Sequence, residues 1–227
     1  MLTLYDYLSS GNGYKCRLLL AQLGIPYRRV ELDIMRGETR TPEFLAKNPN
    51  GRIPALELDD GTVLSESDAI LFYLAEGTPF LPDDRLGRAQ VLQWLFFEQY
   101  SHEPFIAVAR FILHLLPPDT PRRAELPRLH QGGHAALAVM ERRLAEHPFL
   151  VADRYTIADI ALYAYTHVSA EGGFDLAGYP GVTAWLARVA AQPDHGPSAR
   201  RDSRAAIDLA NCGCYQANDL DRNSGSG

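Results

Sequence analysis

The stretch LTLYDYLSSGNGYKCRLLLAQLGIPYRRVEL, residues 2–32, decides the fold. Residues 2–5 read as a short strand, and Ser9-Ser10-Gly11-Asn12-Gly13 follows as a run of turn formers. Cys16, Leu19, Leu20 and Leu23 then fall at i, i+3, i+4 and i+7, one apolar face of a helix. Gly24 and Pro26 stop that helix in the order expected at a C-terminus. Residues 27–32 read as a second strand. Strand, helix and strand in this order form a βαβ unit, with parallel strands and a right-handed crossover.

Outward from there, 33–52 is polar and punctuated by Gly37, Pro42, Pro49 and Gly51, so a loop with one short helix near 42–47 is expected. Residues 55–58 and 62–65 read as strands. Asp59-Asp60-Gly61 between them makes a hairpin turn, because Asp and Gly tolerate positive φ. A helix over 67–75 completes βαβ followed by ββα, the thioredoxin arrangement. Residues 76–87 carry Gly77, Pro79, Pro82 and Gly87 and read as connecting chain. Everything beyond is helical by pattern: 88–115, bent near Pro104; 124–146, weakened at Gly132-Gly133; 156–171; and 182–191. After Pro193 periodicity is lost and the composition suits a frayed tail. The expected organisation is a thioredoxin-like α/β domain over 1–79, a linker over 80–87, an all-α domain over 88–195 and an irregular tail over 196–227.

An apolar fraction of 46% with 22% charged residues supports an ordinary globular core. The net charge of −6 argues against a nucleic-acid binder, which needs a basic stripe to neutralise phosphates; the pairs Arg122-Arg123 and Arg200-Arg201 read as solvated loop residues. The opening residues lack the basic and apolar regions of a signal peptide, and no apolar run is long enough to span a membrane. Cys16, Cys212 and Cys214 do not make a disulfide framework. A cytoplasmic protein with reduced thiols is expected.

Four local features carry chemistry or folding information. Ser10-Gly11-Asn12-Gly13 lies at the mouth of the first helix, where unpaired amides and partial positive charge stabilise a thiolate. A Ser hydroxyl or Asn amide there can donate a hydrogen bond to sulfur. Ile53-Pro54, entering a strand, is a candidate cis bond whose Ile53 backbone groups are free to pair with a peptide-like ligand. Glu66-Ser67 opens a helix, with Ser67 as a plausible N-cap able to bind a carboxylate and Glu66 a partner for an ammonium. Thr156-Ile157-Ala158-Asp159 is a capping box, a folding signal. His130 and His134 stand four apart as in a zinc helix, but no glutamate lies between them and no third ligand is evident, so no metal is expected.

Taken together, SGNGYKCRLLL (10–20), NPNGRIPAL (48–56), LSESDAI (64–70) and TIADI (156–160) resemble the cytosolic glutathione transferase family over roughly Leu2 to Pro193. The resemblance implies the two-domain glutathione transferase fold, glutathione as substrate, and a homodimer, at which Leu64 and Phe72 hint. It implies that Ser10 or Asn12 activates the glutathione thiol; Tyr7 is a weaker candidate donor only by its position before the loop. Ile53 before Pro54 would pair with the cysteinyl backbone, Glu66 and Ser67 would hold the γ-glutamyl group, and Arg52, or less well Lys47, would lie near the glycyl carboxylate. The absence of a cysteine at Ser9, Ser10 or Asn12 separates the chain from the glutaredoxin-like members. A second-substrate pocket is expected against the long helix, from His102, Phe105, Ile106, Ala109 and Arg110.

The expected activity is attack of the bound thiolate on a small hydrophobic electrophile. Three alternatives stay open: a zeta-like isomerase, a glutathione-dependent disulfide reductase, and a non-catalytic interaction module of the same fold.

Overall fold

The computed structural model describes residues 1–195. The expected tail over 196–227, with Arg200-Arg201, Cys212 and Cys214, lies outside the described residues. Four strands, β1 (Leu2–Asp6), β2 (Tyr27–Glu31), β3 (Ala55–Glu57) and β4 (Val63–Ser65), form one sheet in the order β2-β1-β3-β4. β1 and β2 are parallel, Leu2 facing Tyr27, as the crossover through α1 (Gly11–Gln22) requires. β3 runs antiparallel to β1, and β4 to β3. Two 3-10 turns and α2 (Pro42–Lys47) occupy the polar stretch, and α3 (Ser67–Ala75) closes the unit. The chain thus opens with a thioredoxin-like α/β layer.

The remainder is helical. α4 (Arg85–Phe97) begins three residues earlier than expected, because Asp84 caps it by accepting from the Gly87 amide at 2.8 Å. The expected single helix over 88–115 is instead a sequence of pieces: a π turn at Glu98–His102, α5 (Glu103–Arg110) and a second π turn at Phe111–Leu115. Pro104 sits in the first turn of α5, where it lacks no intrahelical bond, so the wide turn before it carries the break.

α6 (Leu126–Leu144) runs through Gly132-Gly133 without interruption. A Cβ on Gly132 would lie 2.3 Å from the Phe105 ring, and one on Gly133 2.3 Å from the Phe174 ring. The pair therefore serves close packing of aromatic rings and is not a weak point. α7 (Ile157–Thr166) is buried along its whole length, and α8 (Pro180–Ala190) starts on Pro180. Both are shorter than or offset from the expected spans, and a 3-10 turn at Ser169–Gly172 replaces the end of the first.

The capping box at Thr156 and Asp159 forms as the sequence indicates. Its carboxylate does more than cap. Oδ2 accepts from the Thr156 amide (2.9 Å) and hydroxyl (3.2 Å), while Oδ1 accepts from the Leu150 amide (3.0 Å) and the indole of fully buried Trp185 (2.9 Å). Burial pushes the Asp159 carboxyl up to about 6 against the pull of these donors.

Candidate active site at two helix N-termini

Ser10 is the N-cap of α1, with its Oγ accepting from the Gly13 amide at 3.3 Å and its carbonyl from the Tyr14 amide at 3.0 Å. The amides of Gly11 and Asn12 have no acceptor among the described residues. Glycine at 13 is required by a close approach: a Cβ there would lie 1.5 Å from an oxygen of buried Asp6 at the end of β1. Arg17 pairs with Asp6 and also donates to the Leu8 carbonyl at 3.0 Å. From the other side, Arg110 of α5 donates to the Ser9 carbonyl at 2.9 Å. The loop before α1 is thus clamped by cations from both halves of the molecule.

The second helix start lies beside it. Glu66, at the N-cap position of α3, has φ 68° and makes no side-chain cap bond. A left-handed φ on a residue with a side chain costs ~1–3 kcal/mol and collects at functional positions. The sequence points to Ser67 as the cap; it is instead the first helical residue, one position too late to cap. Its hydroxyl donates to Asn12 Oδ1 at 3.5 Å and accepts from Lys15 at 3.2 Å. The first intrahelical bond is Ile70 amide to Glu66 carbonyl (3.0 Å), which leaves the amides of Ser67, Asp68 and Ala69 without acceptors among the described residues. Two helix N-termini with open amides therefore meet at the Asn12–Ser67 contact, and both favour negative charge. Ile53-Pro54 is cis, and Ile53 is partly exposed just before β3.

Sequence reasoning missed the buried support behind this pair. Lys15 is fully buried on α1 and donates to Ser67 (3.2 Å), Asp68 (3.1 Å) and Glu98 (2.7 Å). Burial acts to lower its pKa, but the Asp68 and Glu98 carboxylates outweigh burial and hold it above the usual lysine value. Burial pushes the Glu98 carboxyl well up, against the pull of Lys15. Also missed was Glu103, at the start of α5, whose Oε1 accepts from Asn12 Nδ2 at 3.2 Å. Glu98 lies 83 residues from Lys15 and Glu103 lies 91 from Asn12 in the chain, so no local pattern points to them.

Several expected residues have other employment. His102, Ile106 and Ala109 are fully buried and cannot line an open pocket; His102 bonds to Thr166 Oγ1 at 2.9 Å, and burial lowers its pKa to about 3. The Phe105 ring packs over Gly132 of α6. Arg110, besides holding Ser9, pairs with Glu171 at 2.6 Å. Lys47 pairs with Glu57 at 2.9 Å, which also accepts from the Tyr5 hydroxyl at 2.6 Å. Arg52 is exposed beside the cis bond. Burial raises the pKa of the Tyr7 phenol and of the Cys16 thiol, so Cys16 is an inert core residue. His130 bonds to the Gly172 carbonyl (2.9 Å) and His134 to the Tyr179 hydroxyl (3.0 Å). No group of three or more metal-ligating side chains is assembled among the described residues, and no helix among them is long and apolar enough to cross a membrane.

The glutathione S-transferase N-terminal domain model matches residues 1–76 and the C-terminal domain model residues 105–193. The chain belongs to the glutathione S-transferase family. These are enzymes whose substrate is glutathione. A crystal structure of a glutathione S-transferase from Pseudomonas fluorescens Pf-5 is 56% identical, with a TM-score of 0.84 over 87% of this chain and 98% of that one. The disulfide-bond oxidoreductase YfcG of Escherichia coli K12 is 35% identical over 86% of this chain and 93% of its own. Ure2p in complex with glutathione is 30% identical, with a TM-score of 0.77 over 85% of this chain and 90% of that one.

Proposed function

We propose that the chain binds glutathione across the two helix N-termini and ionises its thiol for attack on a small electrophile. The α/β half (1–79) would hold glutathione, and the helical half (88–195), reached through 80–87, would close the site. The observation that carries this reading is the meeting of α1 and α3 at the Asn12–Ser67 contact, with open amides on both sides. The γ-glutamyl carboxylate suits the amides of α3 and the Ser67 hydroxyl, its ammonium suits exposed Glu66, and the cysteinyl backbone suits Ile53 before cis Pro54. Exposed Arg52 suits the glycyl carboxylate better than Lys47, which is paired with Glu57.

The sulfur then lies at the start of α1. The open amides of Gly11 and Asn12, the Ser10 hydroxyl and the Asn12 amide are the donors available to a thiolate there. The thiol proton leaves to solvent, the C–S bond forms, and the leaving group departs with its electron pair. None of these groups acts as a base; they stabilise charge and fix position. The electrophile would approach beside Asn12 against the α5 face that carries Glu103.

A second reading is favoured by the likeness to YfcG. The same thiolate attacks one sulfur of a small disulfide, the S–S bond breaks to release a thiolate, and a second glutathione resolves the mixed disulfide to give oxidised glutathione. The chain's own Cys16, buried with a raised pKa, takes no part.

A cytoplasmic homodimer completes the proposal. Leu64 and Phe72 are partly buried and pack on the core. An outward apolar row on α4 and the turn after it, Leu92, Phe96 and Tyr100, is spaced by four, with Phe96 71% and Tyr100 84% exposed. Initial rates with an activated aryl halide and with a small disulfide, each with glutathione, test the activity. Turnover of either that falls at least tenfold in Asn12→Ala or Ser10→Ala supports the reading. Turnover unchanged in both variants contradicts it.

A further inference from the structure

The hydrogen bonds through Asn12 run in one direction only. Lys15 has three N–H donors and no acceptor, so Ser67 Oγ must accept from it at 3.2 Å. The Ser67 hydroxyl proton is then directed to Asn12 Oδ1 at 3.5 Å. At the other end the Glu103 carboxylate can only accept, so the atom of Asn12 that faces its Oε1 at 3.2 Å is the amide nitrogen. Gln99 steadies the same carboxylate, with Nε2 at 3.5 Å from Oε2. The chain Lys15→Ser67→Asn12→Glu103 therefore fixes which edge of the Asn12 amide is which. One N–H is taken by Glu103. The other lies in the amide plane and points away from Glu103, on a residue in the first turn of α1 directly after the Ser10 cap.

We propose that Glu103 is a positioning residue for thiol activation: it holds the Asn12 amide in the one orientation that offers an N–H to the glutathione sulfur. This rests on the proposed role of Asn12. Without Glu103 only the long 3.5 Å contact from the Ser67 hydroxyl holds the amide, and an amide that turns over would present its carbonyl oxygen to the sulfur and oppose a thiolate. The role requires an acceptor at position 103 but no negative charge, which separates it from any direct attraction of a cationic part of glutathione.

The test is the thiol pKa of bound glutathione, from thiolate absorbance against pH, in Glu103→Ala, Glu103→Gln, Asn12→Ala and the double variant Glu103→Ala/Asn12→Ala, each checked for its helical circular dichroism. Glu103→Ala is expected to raise the pKa by about one unit, a tenfold loss of thiolate below it. Glu103→Gln keeps an acceptor and should stay near wild type. The double variant should match Asn12→Ala alone, because Glu103 acts only through Asn12. If Glu103→Ala does not fold, Glu103→Met, closer in volume, takes its place with the same expectation. An unshifted pKa in the alanine variant, an equal loss in the glutamine variant, or additive losses in the double variant would each overturn the positioning role while leaving Asn12 as donor. A pKa unmoved by Asn12→Ala would overturn the reading of Asn12, and this inference with it.

Discussion

Two helix starts in this molecule read alike in sequence and do opposite work. α7 opens on a Thr-x-x-Asp box whose carboxylate takes four donors. There the Ile157 amide is also accepted, by the Phe80 carbonyl at 3.0 Å. α1 opens on Ser10, which satisfies one amide by its side chain and leaves those of Gly11 and Asn12 open, beside an α3 whose start is not capped by a side chain at all. A helix start that the protein closes is architecture; one that it clamps in place yet leaves open is prepared for a ligand. The clamps on α1 come from Arg17, Arg110, Lys15 and Glu103, so the open start is held by side chains from both halves of the molecule.

Substitutions on each side should separate the two roles. The largest effect is expected at the closed start. Asp159→Ala strands the buried Leu150 and Thr156 amides and the Trp185 indole, and should lower the unfolding free energy by ~4 kcal/mol, read by denaturant titration. The fraction that folds should keep the wild-type thiol pKa of bound glutathione.

Next is the support of the open start. Lys15→Met leaves Glu98 and Asp68 without their cation and should cost ~3 kcal/mol at neutral pH. Its pH dependence has a definite sign. A carboxyl raised in the folded state binds its proton more tightly than in the unfolded chain, so its contribution is most favourable at low pH and is lost as pH rises through the folded pKa. Denaturation of Lys15→Met should therefore approach wild type as the pH is lowered from neutral toward the ordinary glutamate range. A penalty that grows on acidification would contradict this account.

Smaller still are the open start's own residues. Asn12→Ala should raise the bound thiol's pKa by about one unit, ~1.4 kcal/mol, with little change in unfolding. Ser10→Ala should remove ~1 kcal/mol of cap energy, read as a lowered denaturant midpoint.

The sequence displays those parts of the site that act within a few residues of one another. Ser10 capping Gly13, the cis bond at Ile53-Pro54 and the box at Thr156 and Asp159 are all of this kind. A one-residue error at Ser67 shows the limit of that legibility, since a helix boundary is fixed by the strained φ of Glu66 and not by residue type. Glu98 and Glu103 reach α1 only because the π turn at Glu98–His102 sets their faces, and no spacing in the sequence encodes that register. Three of the expected second-substrate residues, His102, Ile106 and Ala109, are buried for a related reason. Periodicity along 102–110 marks an apolar stripe, and here the stripe is the seam with α6 and α7 and not a cleft wall.

The central claim, that the open start of α1 ionises bound glutathione, is tested most directly by titrating the thiolate absorbance of glutathione bound to the wild-type protein. The account predicts a pKa at least one unit below the free thiol value of ~8.5. A bound thiol that titrates at the free value would contradict it.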